Sequence, residues 1–267
     1  YVPAREMEQV RIGKGYVLKE HEKHYPENYP CTINSATYFL KVDGNKLEGK
    51  ANLSMECRKG QMILNGRHFT VKEFSVNGRA TYYYDGNTFR FDVDSGPNSL
   101  TMSYSASLMG SVQRLEEMSE VSTTGETENP IYWIPSLAEP TMKTKTELYV
   151  QVKKPLMAVS NGELREVRDL GDWVEYHWVM DFPHSFYLTS LAVGEFSTFK
   201  EQVDGVVLEY YLPKGFEDYL WNLESTRRAM KFFSSYTGVA YPFKRYAQVV
   251  LFGMNGGMEY ITSTHLT

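Results

Sequence analysis

Residues 47–57 read LEGKANLSMEC. Leu47, Gly49, Ala51, Leu53, Met55 and Cys57 share one parity, while Glu48, Lys50, Asn52, Ser54 and Glu56 share the other. Side chains alternate faces at every residue only in an extended chain, so this stretch is a strand with one apolar face. The same pattern returns at Phe89, Phe91 and Val93, at Leu100, Met102 and Tyr104, and at Leu148, Val150 and Val152. Asp43-Gly44, Asn65-Gly66, Asn77-Gly78, Asp85-Gly86 and Asn161-Gly162 punctuate the runs. Such pairs tolerate the positive φ angles of tight hairpins. Many short strands with frequent turns predict a mainly β chain, with an antiparallel sandwich or saddle over residues 32–200.

The period changes after Pro213. Phe216, Tyr219, Leu220, Leu223, Met230 and Phe233 fall close to a helical stripe, and Gly238 stands where a helix would end. One amphipathic helix is therefore expected from Phe216 to about Thr237. A strand from Tyr246 to Phe252 follows, then Gly253, Gly256 and Gly257, then a β-prone run from Met258 to Leu266. The switch places a boundary near residue 200, with residues 201–267 as a second unit. Residues 1–31 are polar, hold Pro26 and Pro30, and read as a leader or stalk with a short helix near Glu6–Lys23.

Composition excludes several classes of function. The net charge is −5 over 267 residues, and no basic stripe gathers on one segment. Phosphate binding needs such a surplus, so nucleic acid is not an expected partner. No apolar run reaches the length of a membrane span, and no signal peptide opens the chain. The first residue is Tyr1, so the chain reads as part of something longer. Cys31 and Cys57 either form one bridge, or leave Cys57 buried on its strand and Cys31 a free thiol. His21-Glu22-Lys23-His24 spaces its histidines by three with Pro26 close behind, which is not helical zinc-site geometry. Gly13-Lys14-Gly15 lacks the preceding strand of a phosphate loop. His177 reads as a half-exposed sheet residue, His184 as a loop residue, and His265 as a residue able to face a cleft.

The chemistry concentrates in Gly256-Gly257-Met258-Glu259-Tyr260. Adjacent glycines let backbone approach a ligand closely, and an extended peptide can bind there by main-chain hydrogen bonds. The carboxylate beside them could grip a cationic amine. Alone, the stretch reads first as a tight loop before a strand. It resembles, however, the Gly-x-Met-Glu-Asn signature of the membrane alanine aminopeptidase family of gluzincin zinc peptidases. The context is similar too. Gly238-Val239-Ala240-Tyr241-Pro242-Phe243, Leu191-Ala192-Val193-Gly194-Glu195-Phe196 and Ser160-Asn161-Gly162 resemble family segments in the same order. Thr124-Gly125-Glu126-Thr127-Glu128 with Tyr132-Trp133-Ile134-Pro135 resembles the Gln-Gly-Glu-x-Glu and Tyr-Trp-Phe-Pro of bacterial members.

That resemblance implies an amino-terminal β domain followed by the start of an α+β, thermolysin-like catalytic domain. It implies that Glu259 binds the free α-amine of a peptide substrate, that Glu126 assists it, and that the backbone of Gly256, Gly257 and Met258 lines the substrate. It implies zinc in the full-length protein, held by a motif beyond Thr267, with no metal ligand and no catalytic residue inside this chain. Without that zinc the chain alone should not hydrolyse peptides. Tyr260 replaces the signature Asn, Thr124 the usual Gln, and Ile131 and Ala138 the usual Arg and Asp. A non-catalytic peptide-binding scaffold is therefore a competing reading, and a plain adhesion or carbohydrate-binding sandwich a weaker one. The leader is similar to that of bacterial membrane proteins that join such a domain to transporter-like spans, so a membrane tether outside the chain is a further expectation.

Overall fold

A computed structural model describes residues 4–12, 15–23, 29–108, 112–115, 119–123 and 129–267. The chain opens with the hairpin β1 (Ala4–Ile12) and β2 (Gly15–Lys23). A longer hairpin follows, β3 (Cys31–Asp43) and β4 (Lys46–Cys57), then β5 (Gly60–Asn65), β6 (Thr70–Val76), β7 (Tyr83–Tyr84), β8 (Thr88–Val93) and β9 (Gly96–Ser107). Next come β10 (Val112–Leu115), β11 (Glu120–Thr123), a 3-10 turn at Asn129–Tyr132, β12 (Lys143–Lys153), β13 (Met157–Val159), β14 (Glu163–Leu170) and β15 (Trp173–Ser185). The last part holds β16 (Ala192–Gly194), β17 (Phe196–Val203), β18 (Val206–Pro213), α1 (Ser225–Thr237), β19 (Arg245–Val250), β20 (Gly257–Tyr260) and β21 (Ser263–Leu266).

The order β14-β15-β12-β3-β4-β9-β6 makes a seven-stranded sheet, and β5-β8-β7 a three-stranded one. The strand read first from sequence, β4, lies inside the large sheet with every residue of its apolar parity buried. Gly49 belongs to that parity because the Tyr104 ring lies where a side chain would be, 2.4 Å from an added Cβ. Tyr38, Leu47, Leu53, Met62, Leu64, Phe89, Met102 and Tyr104 share one continuous core. β12 runs parallel to β3, a pairing that no tight hairpin can make and that the long intervening chain allows. A four-stranded sheet, β10-β11-β16-β13, leads to a five-stranded sheet, β17-β18-β19-β21-β20.

Three sequence expectations change. The leader segment forms the β1–β2 hairpin where a helix was expected, since nine residues of each strand pair in register. Cys31 and Cys57 form a disulfide, so Cys31 is no free thiol; the hairpin sets them opposite one another with both side chains buried. The expected single helix is a 3-10 segment, Glu217–Leu223, followed by α1. The change of winding rotates the apolar face. Leu220, Leu223 and Met230 pack on Val203, Val206, Leu208, Tyr210 and Leu212, while Phe216, Tyr219 and Phe233 are exposed. Gly238, at φ +70°, ends α1 as its position predicts. Among the described residues no helix is long and apolar enough to cross a membrane.

The five-stranded sheet is locked to the seven-stranded one by polar groups. Arg245 and Glu209 are both buried, and the Arg245 Nε donates to Glu209 Oε2 at 2.6 Å. The same guanidinium donates from Nη1 to the carbonyls of Ser160 (3.2 Å) and Gly162 (3.1 Å) and lies 4.5 Å over the Trp178 ring. Tyr211 Oη and Lys200 Nζ also donate to Glu209. Burial pushes the Glu209 carboxyl up, but the Arg245 charge and these bonds override it and hold it below the usual range. Asn161 donates to the carbonyls of Leu188 (3.0 Å) and Ile261 (2.5 Å) and accepts from Ser190 N–H. Gly162 N–H donates to Thr262 Oγ1 at 2.7 Å.

Two histidines belong to the packing as well. His184 ends β15 buried, its ring bonded to Phe182 O at 2.8 Å and Thr189 Oγ1 at 3.2 Å, so it is no loop residue. His265 is wholly buried on β21 and faces the core, because its parity is that of Ser263 and Ala247, not that of a cleft-facing residue. Burial lowers both to about 4. His177 stands half-buried, stacked on Tyr149 with Nε2 2.6 Å from Glu147 Oε1.

Two outcomes follow from these buried groups. Glu209→Gln strands the Arg245 charge and should cost about 3–5 kcal/mol in urea unfolding, whereas replacing both partners with apolar residues should cost less than either single change. Each histidine folds neutral with a depressed pKa, so the stability it permits is complete above pH 6.5 and declines as pH falls toward 4. The loss is on the order of 3 kcal/mol per histidine by pH 4. Urea melts across that window should show the decline, and His265→Gln should flatten it.

Candidate peptide-binding edge

β20 and β21 form a hairpin closed by Ile261 and Thr262, the latter at φ +60°. Tyr260 pairs with Ser263, Glu259 with Thr264, Met258 with His265 and Gly257 with Leu266. Just past the strands, Thr267 N–H donates to Gly256 C=O at 2.9 Å. In an antiparallel ladder alternate residues bond across. Gly256, Met258 and Tyr260 therefore bond to β21, and the N–H and C=O of Gly257 and Glu259 point the other way. Among the described strands β20 is the last of its sheet, so those groups line its outer edge.

The side chains alternate with equal consequence. Met258 and Tyr260 are buried against the core and their backbone groups bond to β21, so Met258 presents neither side chain nor amide to the edge. Glu259 is exposed, as are Gly256 and Gly257. Gly256, at φ +91°, has no atom within 4 Å of where a Cβ would stand, so nothing crowds the backbone there. The Tyr260 ring packs edge-on to His265 at 4.8 Å, and burial pushes its phenol well above the usual range. The tyrosine in the signature position is thus a core residue.

Glu126 lies outside the described residues, together with the rest of 124–128 and with His24 and Gly13-Lys14. Both roots of the 124–128 segment are described. At one root, Thr123 N–H donates to Leu191 O (2.9 Å), Thr123 Oγ1 accepts Leu191 N–H (3.0 Å), and Thr123 O lies 3.4 Å from His265 Nδ1. His265 is the cross-strand partner of Met258, so this root adjoins the hairpin that carries Glu259. At the other root, Trp133 and Ile134 are buried, and two buried tyrosines hold the segment. Tyr104 Oη donates to Trp133 O and Tyr38 Oη to Pro135 O, each at 2.7 Å. Ile131 and Ala138 are both buried among apolar neighbours.

Sequence reading missed Glu120. It is buried on β11, and its carboxyl accepts the N–H groups of Phe252 (3.1 Å) and Gly253 (2.8 Å) in the loop before the signature. Its one sequence signal is an acidic residue in a short strand whose four residues are all buried. Among the described residues no three His, Cys, Asp or Glu side chains gather where they could hold a metal ion.

Comparison with known proteins agrees with this architecture. The model of the peptidase M1 N-terminal domain matches residues 25–188. The chain is 22% identical over 263 residues to an aminopeptidase N of Acetobacter pasteurianus, spanning 86% of this chain and 73% of that protein. It is 25% identical over 122 residues to a probable aminopeptidase 2 of Sulfurisphaera tokodaii, spanning 45% of this chain and 16% of the relative. A mutant M1 zinc metallopeptidase from Deinococcus radiodurans shares the fold at TM-score 0.77 and 16% identity, over 89% of this chain and 60% of that one. A two-domain M1 zinc metallopeptidase mutant bound to L-tryptophan does so at TM-score 0.75 and 16% identity, over 89% and 61%. The chain thus spans about 60% of the length of the solved structures it resembles. With most of the seven-stranded sheet inside the matched range, the chain belongs to the family of the peptidase M1 N-terminal domain.

Proposed function

We propose that this chain is the front part of a zinc-dependent aminopeptidase, and that it supplies recognition of the substrate's free amino terminus. The observation that carries the reading is the exposed Glu259 on the outer edge of β20, flanked by Gly256 and Gly257. A peptide laid along β20 would exchange main-chain hydrogen bonds with Gly257 and Glu259, the only residues of that strand whose amides face outward. Its terminal ammonium would meet the Glu259 carboxylate, with Glu126 as second partner. Two carboxylates around one ammonium select for length, because an internal peptide nitrogen carries no charge to satisfy them. Residues 201–267 are read as the start of the catalytic domain.

An exposed apolar surface toward the β17–β18 end of the same sheet supports the same reading. Trp221, Phe232, Phe233, Tyr236 and Val239 are each more than half exposed on the 3-10 segment, α1 and its exit. So large an apolar area is what further chain would cover. Zinc belongs to the proposed whole enzyme, where it would activate water and polarise the scissile carbonyl. No described residue of this chain is assigned to it. The second reading, a non-catalytic peptide-binding scaffold, draws on Ile131 and Ala138, buried and uncharged where the resemblance implies an Arg and an Asp.

The full-length gene product decides between them. An enzyme should release 4-nitroaniline from leucine 4-nitroanilide and leave the N-acetylated substrate intact. Glu259→Gln should raise KM roughly 10- to 100-fold, the worth of a charge-assisted hydrogen bond. The 267-residue chain with added zinc should show no turnover. Turnover of acetylated substrate equal to that of the free amine would refute α-amine recognition. Absence of any turnover in the full-length protein, with peptide binding retained, would favour the scaffold.

A further inference from the structure

β11 is only four residues long, yet it touches both flanks of the signature hairpin. At its first residue, the buried Glu120 accepts one hydrogen bond with each carboxyl oxygen, from Phe252 N–H and from Gly253 N–H. At its last, Thr123 O meets His265 Nδ1 and the Thr123 side chain and N–H clasp Leu191. The chain then enters the 124–128 segment that carries Glu126. One rigid strand thus holds the loop entering β20, contacts the strand leaving it, and sets the root of the segment proposed to meet the same ligand.

The 251–256 loop is anchored by Leu251 and Met254, both buried in the core, by Thr267, which donates to Met254 O and Gly256 O, and by the Phe216 ring against Phe252, but it is Glu120 that receives the Phe252 and Gly253 N–H groups. Phe252 and Asn255 are exposed, Gly253 is half-buried, and Gly253 and Gly256 give it a wide range of backbone conformations. Neighbouring N–H groups at 252 and 253 point the same way, an arrangement that needs a shared acceptor. A carboxyl group is the side chain able to receive both at once. Glu120 supplies it from the β domain, 132 residues away in sequence.

We propose that Glu120 is a positioning residue for substrate binding. By holding Phe252 and Gly253 it fixes the height of the Gly256–Glu259 edge relative to β11. This deepens the aminopeptidase reading and rests on it for its functional half. The structural half stands on the two hydrogen bonds alone.

Glu120→Gln tests it with little change of shape, since the amide keeps one acceptor and turns a donor toward the other N–H. Residue-resolved hydrogen exchange on the 267-residue chain should show Phe252 or Gly253 exchanging about tenfold faster, with the amides of β3 and β4 unchanged. In the full-length protein, KM for leucine 4-nitroanilide should rise about tenfold, while kcat changes much less. Glu120→Asp, too short to reach both amides, should act in the same direction, and decides the matter if the Gln variant does not fold. Exchange at the wild-type rate in the folded variants would overturn the hold. Faster exchange with an unaltered KM, or equal losses in kcat and KM-independent stability, would overturn the positioning role. Absence of wild-type turnover would sink the peptidase reading by itself, and the exchange comparison would still decide whether Glu120 holds the loop.

Discussion

The arrangement of the two sheet systems depends on one buried cation. Arg245 sits on β19 of the five-stranded sheet, yet it donates to the Ser160 and Gly162 carbonyls between β13 and β14. Removing a guanidinium from water is expensive unless its charge and donors are met. Glu209 meets the charge from the neighbouring strand, Trp178 covers one face, and the two carbonyls take Nη1, while Nη2 is buried without a hydrogen-bond partner among the described residues. None of these partners can shift without exposing the charge to an apolar surround. The ion pair is therefore weak evidence of net stability but strong evidence of fixed geometry, since no other docking of the two sheets satisfies the same set.

The same corner holds the signature hairpin. Gly162 gives its carbonyl to Arg245 and its N–H to Thr262, and at φ +74° an added Cβ would lie 2.0 Å from Val179 O. Only glycine fits there, and only in that orientation. Asn161 adds the Ile261 carbonyl to the bracket. The β20–β21 turn is thus bound to the β domain on one side, while Glu120 binds the loop on the other. An edge strand is a hazard, because its open amides invite any passing chain. Here the edge is short, glycine-opened and stiffly mounted, which suits selective capture of one extended segment.

Much of this was legible in the sequence because period-two alternation is a local property. β4, β8, β9 and β12 were readable from their own residues, since each has one face in the core. Gly238 was readable because ending a helix is likewise local. The parallel pairing of β3 with β12 was not, because nothing within either strand reports which distant strand lies beside it. The bend between Leu223 and Ser225 escaped because the apolar spacing fits 3-10 and α winding alike over so few residues. At the site, Glu259 was singled out by the resemblance of its stretch to a family signature, since its glycines alone favour a tight loop. Glu120 and Arg245 were not, because their roles are set by partners between 36 and 133 residues away in sequence. Tyr260 read as an odd replacement at a binding position, yet strand parity turns it inward, where an aromatic ring is an ordinary core residue.

The same logic explains how the fold tolerates its departures from the pattern it resembles. A charged pair between the 131 and 138 positions would have to be buried, since Ile131 and Ala138 are 3% and 5% exposed. Keeping one charge there would be costly, whereas apolar residues at both positions leave no group unsatisfied. The backbone around them keeps its bonds regardless of side chain. Arg67 N–H donates to Ile131 O, Ala138 N–H to Asn65 Oδ1, and Asn65 and Ser136 bond reciprocally. The segment that carries the second root of 124–128 is therefore held by main-chain groups and by the hydroxyls of Tyr38 and Tyr104. Apolar residues at positions 131 and 138 therefore leave the main-chain hold on this segment intact, which separates the question of side-chain chemistry there from the question of fold.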